Sequence, residues 1–129
     1  MAHANEDLVR RGYEAFATGD MATVASLFAD DVVWHSPGRS AISGDFKGQD
    51  EVFAFFGKLV EMTGGNFGIE VHDVLANDEH AAVMVHAKGQ RDGASWEGNI
   101  VHVLHLEGGK VKEIWVHEGD QYAADVFWA

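Results

Sequence analysis

Apolar and polar positions recur with two different periods along this chain, and the change of period divides it. From residue 5 to 17, NEDLVRRGYEAFA, the residues Val9, Tyr13 and Phe16 fall at i, i+4 and i+7, with Leu8, Gly12 and Ala15 beside them. That is the stripe of an amphipathic helix. Asn5 is placed to cap its start, and Glu6 and Asp7 suit the positive end of the helix dipole. Gly19 breaks the pattern, and Asp20 can cap a second helix over 21–29, MATVASLFA, with Met21, Val24, Leu27 and Phe28 on one side. The short link predicts an antiparallel helix hairpin. Val32, Val33 and Trp34 then read as a short strand that ends at SPG, which holds the chain's one proline. A loop with a brief extended piece around Phe46 leads to the clearest helix, QDEVFAFFGKLVEM. There Val52, Phe55, Phe56, Leu59 and Val60 lie at i, i+3, i+4, i+7 and i+8.

From residue 67 the period is two. FGIEVHDVLA, HAAVMVHAKGQ, SWEGNIVHVLHLE and KVKEIWVHEG are separated by turn signals at ND, RDG and GG. Four strands with short links predict an antiparallel meander. Helices early, strands late and no βαβ alternation predict an α+β fold with the helices on one face of the sheet. The last segment, DQYAADVFWA, is rich in aromatic residues for a chain end. Termini fray unless tied down, so Tyr122, Phe127 and Trp128 are expected to pack on the body or on a second subunit.

Composition narrows the function. A length of 129 residues suits one domain spanning 1–129, and 47% hydrophobic residues suffice for a sizeable core. The formal net charge of −12 repels phosphate backbones and anionic lipid surfaces, so neither nucleic acid nor membrane is an expected partner. There is no cysteine, which removes disulfides, thiolate metal sites and cysteine nucleophiles. No apolar run approaches the roughly 20 residues that span a bilayer. These features together predict a cytoplasmic protein.

The segment NIVHVLHL, residues 99–106, carries the most unusual chemistry. Strand side chains alternate, so Ile100, His102, Leu104 and Leu106 share one face, and Val101, Val103 and His105 share the other. His102 is thus an imidazole on an aliphatic face, either a bonded core residue or a pocket group. The eight histidines do not suggest a metal: His102 and His105 point apart, and no HExxH occurs. No phosphate-binding glycine loop occurs either, so no cofactor is expected.

The order of elements and several motifs resemble the nuclear transport factor 2-like superfamily, in its SnoaL-like branch, kin to ketosteroid isomerases and polyketide cyclases. The carriers are ATGDMATVASLFADDVVWHSPG, ISGDFKGQDEVFAFFGKL, VHVLHLEGGKV and DQYAADVFW. The resemblance implies a cone-shaped, strongly curved, mostly antiparallel sheet wrapped around three N-terminal helices. It also implies an apolar pocket and homodimerisation through the outer sheet face. The fold hosts isomerases, dehydratases, cyclases, epoxide hydrolases and non-catalytic binders, so the site must decide among them.

Residue by residue, the resemblance implies the following. The isomerases keep an aspartate base just before a proline; here Ser36 precedes Pro37, and His35 precedes Ser36. Their second carboxylic acid falls at His102, which would point into the pocket as a general acid/base. Their oxyanion tyrosine falls near Tyr13, which otherwise reads as a packed aromatic. In limonene epoxide hydrolases a catalytic aspartate stands where this chain has Val116, and no arginine follows Arg91 on the strands, which excludes that triad. SnoaL-type cyclases use an aspartate near the chain end; Asp120 is the candidate, with helix capping as its other reading. Trp34, Phe55, Leu104, Ile114, Val116 and Tyr122 are expected along the pocket wall, with Tyr13, Trp34, His35, Ser36 and Asp120 orienting the ligand or His102. The expected ligand is an apolar, carbonyl-bearing small molecule. The expected activity is cofactor-free isomerisation, cyclisation or dehydration. The alternative is a non-catalytic ligand-binding or dimeric adaptor module.

Overall fold

Four helices and six strands make up residues 3–129, the part described by the computed structural model; Met1 and Ala2 of the expected 1–129 unit lie outside it. Helix α1 spans Ala4–Thr18. It starts one residue earlier than expected, because the His3 ring accepts from the Asn5 backbone N–H and takes the capping role assigned to Asn5. Gly19 closes it in the left-handed region at φ 77°, a conformation a residue with a Cβ resists. Asp20 caps α2 (Met21–Leu27) by accepting from the Thr23 backbone N–H.

Here the structure corrects a boundary. Phe28 and Ala29, expected at the end of α2, begin strand β1 (Phe28–Ser36) instead. The physical reason is pairing: Phe28 lies beside Val111, and Val33, Trp34 and His35 lie beside Glu113, Ile114 and Trp115 of strand β6 (Lys110–Glu118). Long-range strand contacts override a local pattern that is ambiguous in a short apolar run. The extended piece around Phe46 becomes β2 (Gly44–Lys47), antiparallel to β1. Helix α3 runs Gln49–Met62, as its periodicity predicts.

Strands β3 (Gly68–Ala76), β4 (His80–Arg91), β5 (Ala94–Glu107) and β6 form the antiparallel meander. One sheet results, in the order β2-β1-β6-β5-β4-β3, in which β1 and β6 are the parallel pair. The register shifts between Val71 and Asp73 in β3, and between Val111 and Glu113 in β6 opposite Leu106 and His105, which locally breaks strict alternation in β3 and β6. The closing segment is helical: α4 covers Gln121–Phe127 and rests against β5. Phe127 and Trp128 are buried in the core and do tie the end down, but Tyr122 does not: it is 89% exposed. Arg91 adds a polar anchor by donating to the Phe127 and Ala129 carbonyls.

The core lies between the helices and one sheet face. On β5 the buried positions are Trp96, Ile100, His102, Leu104 and Leu106, the even-numbered row. Val83, Val85, Trp34 and Ile114 extend this row on β4, β1 and β6 and meet Val9, Val52, Phe55 and Phe56 from α1 and α3. Gly98 interrupts the even row for a reason: a Cβ there would stand 2.9 Å from Cζ2 of Trp96. The opposite face carries Met84, Val101, Trp115 and most of the histidines. Among the described residues, no helix is long and apolar enough to cross a membrane.

Candidate functional site

The sheet's inner face and the helices above it do not fill the space between them. A cavity of about 110 Å³, open at one end, lies among α1, α3, α4 and the inner rows of β1, β5 and β6. Its walls are overwhelmingly apolar, which makes each polar group on them conspicuous.

His102 is the most deeply placed of these groups, 4% exposed in the middle of the even row of β5. Alternation puts it there, since the aliphatic residues at 100, 104 and 106 must face the core. Its ring lies beside Tyr13 at 5.8 Å between centroids and meets the Trp34 ring edge-on at 5.4 Å. Tyr13 reaches it from α1, and the hydroxyl stands 2.5 Å from Nδ1. Burial pushes the His102 pKa down to about 4, so the imidazole is neutral at pH 7. Burial raises Tyr13 well above the usual phenol range, so it keeps its proton.

These protonation states fix the tautomer. A neutral imidazole has one N–H and one bare nitrogen. Among the described residues the Tyr13 hydroxyl has no hydrogen-bond partner but Nδ1. If Nδ1 carried the proton, the buried hydroxyl proton would be stranded, at a cost of about 1–3 kcal/mol. The satisfied arrangement has Tyr13 donating to bare Nδ1, which leaves the proton on Nε2. Among the described residues Nε2 has no partner, yet it is not one of the sealed, unpartnered polar atoms; Trp34 Nε1 is. The free Nε2–H therefore opens to the cavity that His102 lines.

A second polar group lies on the same wall. Glu118 ends the inner row Ile114, Val116, Glu118 of β6 and lines the cavity. His102 pairs with Val116, and Glu118 pairs with Ile100, so Glu118 stands diagonally across from His102. Side chains in that relation are about 7–8 Å apart. Burial, then the nearby Asp125 and Asp120 carboxylates, push its pKa up to about 7. Glu118 was not among the residues expected from the sequence, although the signal was of the same kind as for His102: a polar residue on an aliphatic strand face.

The other expected residues divide. Tyr13, Trp34, Ser36, Phe55, Leu104, Ile114 and Val116 line the cavity with His102. His35 does not. It lies on the outer sheet face, where Nδ1 is 2.7 Å from Asp45 and Nε2 is 2.5 Å from Glu113, with its ring stacked on Trp115. Its neighbours Trp34 and Ser36 hold the inner positions, and a strand cannot present three consecutive side chains to one side. Asp120 lies outside the cavity lining and caps α4, accepting from the Ala123 backbone N–H. Tyr122 points away into solvent. The described residues hold no cluster of three or more His, Asp or Glu side chains arranged to bind a metal.

The sequence model of the SnoaL-like domain matches residues 9–114. The chain belongs to the SnoaL-like family. An uncharacterized protein of Mycobacterium tuberculosis, Rv0034, is 32% identical over 127 residues, covering 98% of this chain and 97% of its own. Among solved structures, Bal32a from a soil-derived mobile gene cassette is 38% identical with a TM-score of 0.94, over 97% of this chain and 96% of that one. A Xanthomonas campestris protein with a cystatin-like fold is 33% identical with a TM-score of 0.89, over 95% and 96%. These matches agree with the α+β, nuclear transport factor 2-like architecture expected from the sequence. The reading of the cavity's chemistry rests on the groups that line it.

Proposed function

We propose that this SnoaL-like chain binds an apolar, carbonyl-bearing small molecule in the cavity, and that His102 donates a hydrogen bond from Nε2 to the carbonyl oxygen. The observation that carries this reading is the free Nε2–H on an otherwise aliphatic wall, held in one tautomer by Tyr13. A neutral imidazole whose pKa has fallen to about 4 is a poor base at pH 7. It is a good fixed donor, and such donors lower the energy of an oxygen on which negative charge develops. The role thus differs from the general acid/base expected for His102: it polarises the carbonyl, in support of cofactor-free isomerisation, cyclisation or dehydration.

The test is a thermal-shift screen of steroids, polyketide-like aromatics, terpenoids and epoxides, each carbonyl compound paired with its deoxy analogue. A ligand that binds only the folded state at a hundred times its Kd stabilises it by about 2.7 kcal/mol. Carbonyl compounds should shift the midpoint more than their deoxy partners, and His102→Ala should erase the difference. Equal shifts for both members of every pair would refute the hydrogen bond and favour a carrier that recognises shape alone. The outer face is the second surface in this reading. Met84 and Val101, each 36% exposed, and the half-buried Trp115 form an apolar strip suited to pairing two copies. Sedimentation of the wild type against Val101→Glu tests it: the wild type should run as a dimer and the variant as a monomer.

A further inference from the structure

Resting on that reading of the cavity, we propose that Glu118 is the proton-transfer base, acting on the carbon next to the carbonyl that His102 holds. Polarising a carbonyl makes the neighbouring C–H acidic, but something must take the proton. At neutral pH His102 does not, because its Nε2 already carries one. Ser36 holds the position where isomerases of this fold keep their base, and a hydroxyl with no base beside it cannot substitute. Asp120 and Asp125 are engaged elsewhere. Asp120 caps α4, and Asp125 accepts from the Arg39 backbone N–H and from the Gln121 side chain. Glu118 has no hydrogen-bond partner among the described residues, and it lines the cavity on the strand next to His102.

The step balances without a co-reactant. A Glu118 carboxylate oxygen takes the α-proton, and the C–H electron pair becomes the π bond of an enolate. The carbonyl π pair moves to oxygen, where the Nε2–H of His102 holds the charge. Glu118, now a carboxylic acid, returns the proton to carbon. The diagonal of about 7–8 Å between the two side-chain origins leaves room for a carbonyl carbon and its α-carbon between the working atoms. The groups that set the charge around Glu118 are Asp120 and Asp125 beside it and neutral His102 across the cavity wall. Burial first, and then the Asp125 and Asp120 carboxylates, favour its protonated form, and together they bring its titration close to the pH at which a base must work. The substrate class this selects is an enolisable apolar ketone rather than an epoxide or an ester.

The experiment uses β-tetralone, a bicyclic enolisable ketone, in deuterated buffer. NMR follows loss of its α-protons, and a parallel thermal shift measures binding. The wild type should speed exchange over buffer, with a rate that rises through about pH 7. Glu118→Gln should cut the enzymatic rate by about a hundredfold or more and lose that pH limb while still binding the ketone. Glu118→Asp should retain part of the rate. Exchange by Glu118→Gln as fast as the wild type would overturn the assignment, even with the carbonyl-binding reading intact. A wild type that binds but does not exchange overturns it too. A wild type that neither binds nor exchanges overturns it together with the reading on which it rests.

Discussion

Two histidines on the strands that flank β6 show what a sheet's two faces do to the same side chain. His102 on β5 faces inward, is wrapped by Tyr13 and Trp34, and has its pKa lowered by burial to about 4. His35 on β1 faces outward. Partial burial works against its charge and is the largest single influence, but hydrogen bonds to Glu113 and Asp45, and their charges, together outweigh it and raise its pKa. Inside, the imidazole keeps one proton and offers it to a cavity. Outside, both nitrogens face carboxylates, and only an imidazolium can donate to both. Burial favours the neutral imidazole on the inner face, and the paired carboxylates favour the charged one on the outer face.

The largest expected effect is on acid stability. The unfolded chain protonates His102 near 6.5, and the folded chain only near 4, so between these values the unfolded state binds more protons and folding weakens as pH falls. Across that window the cost is about 3 kcal/mol for a shift of this size. Glu118 has the opposite sign: its folded pKa lies above the unfolded value, so its contribution fades as pH rises from about 4.5 to about 7. The two slopes overlap, and a single pH curve mixes them. Urea unfolding of the wild type against His102→Asn separates them, because Glu118 is common to both. The wild type should lose about 3 kcal/mol relative to the variant between pH 6.5 and 4. A constant difference would mean that the inner imidazole is solvated like an outer one.

Next in size is Tyr13→Phe. It keeps the ring and removes the hydroxyl, which leaves one nitrogen of a buried imidazole without its partner. The expected cost is about 1–3 kcal/mol at pH 7 by denaturant unfolding, more than a packing change of one atom would give. A loss near zero would show that the short contact at 2.5 Å contributes nothing net and that the tautomer is not held by it.

Much of this contrast was legible in the sequence. The inner row Ile100, His102, Leu104, Leu106 followed from alternation alone, as did the outward side of His105. The three N-terminal helices and the meander followed from period. What failed was placement that depends on partners far along the chain. Phe28 looked helical because the seven-residue helix before it shares its apolar spacing, and only pairing with Val111 makes it strand. Closeness to the proline points His35 inward, but parity turns it outward, because Trp34 holds the inner side. Tyr122 was expected inward because it is aromatic, but α4 turns it outward and buries Ala124 and Phe127 instead. Glu118 has the inner parity, two residues beyond Val116, but the positions of the family's acids do not point to it.

The smallest effect is the most direct reading of the two faces. His35→Gln should change stability by less than about 1 kcal/mol at pH 7 and moderate salt, because the ion pairs are partly solvated and screened. Its stabilising share is fully present below 6.5, where the unfolded imidazole is also charged, and is lost as pH rises through the raised folded pKa. The free energy therefore says little, but the titration itself says much. Followed by NMR of the ring protons, His35 should titrate above 6.5, and its midpoint should fall when Glu113→Gln removes one carboxylate. His102 should show no titration until the pH nears 4. Reversed midpoints would break the contrast at its root, since no rearrangement of the outer face could give a half-buried outer imidazole the environment of the cavity wall.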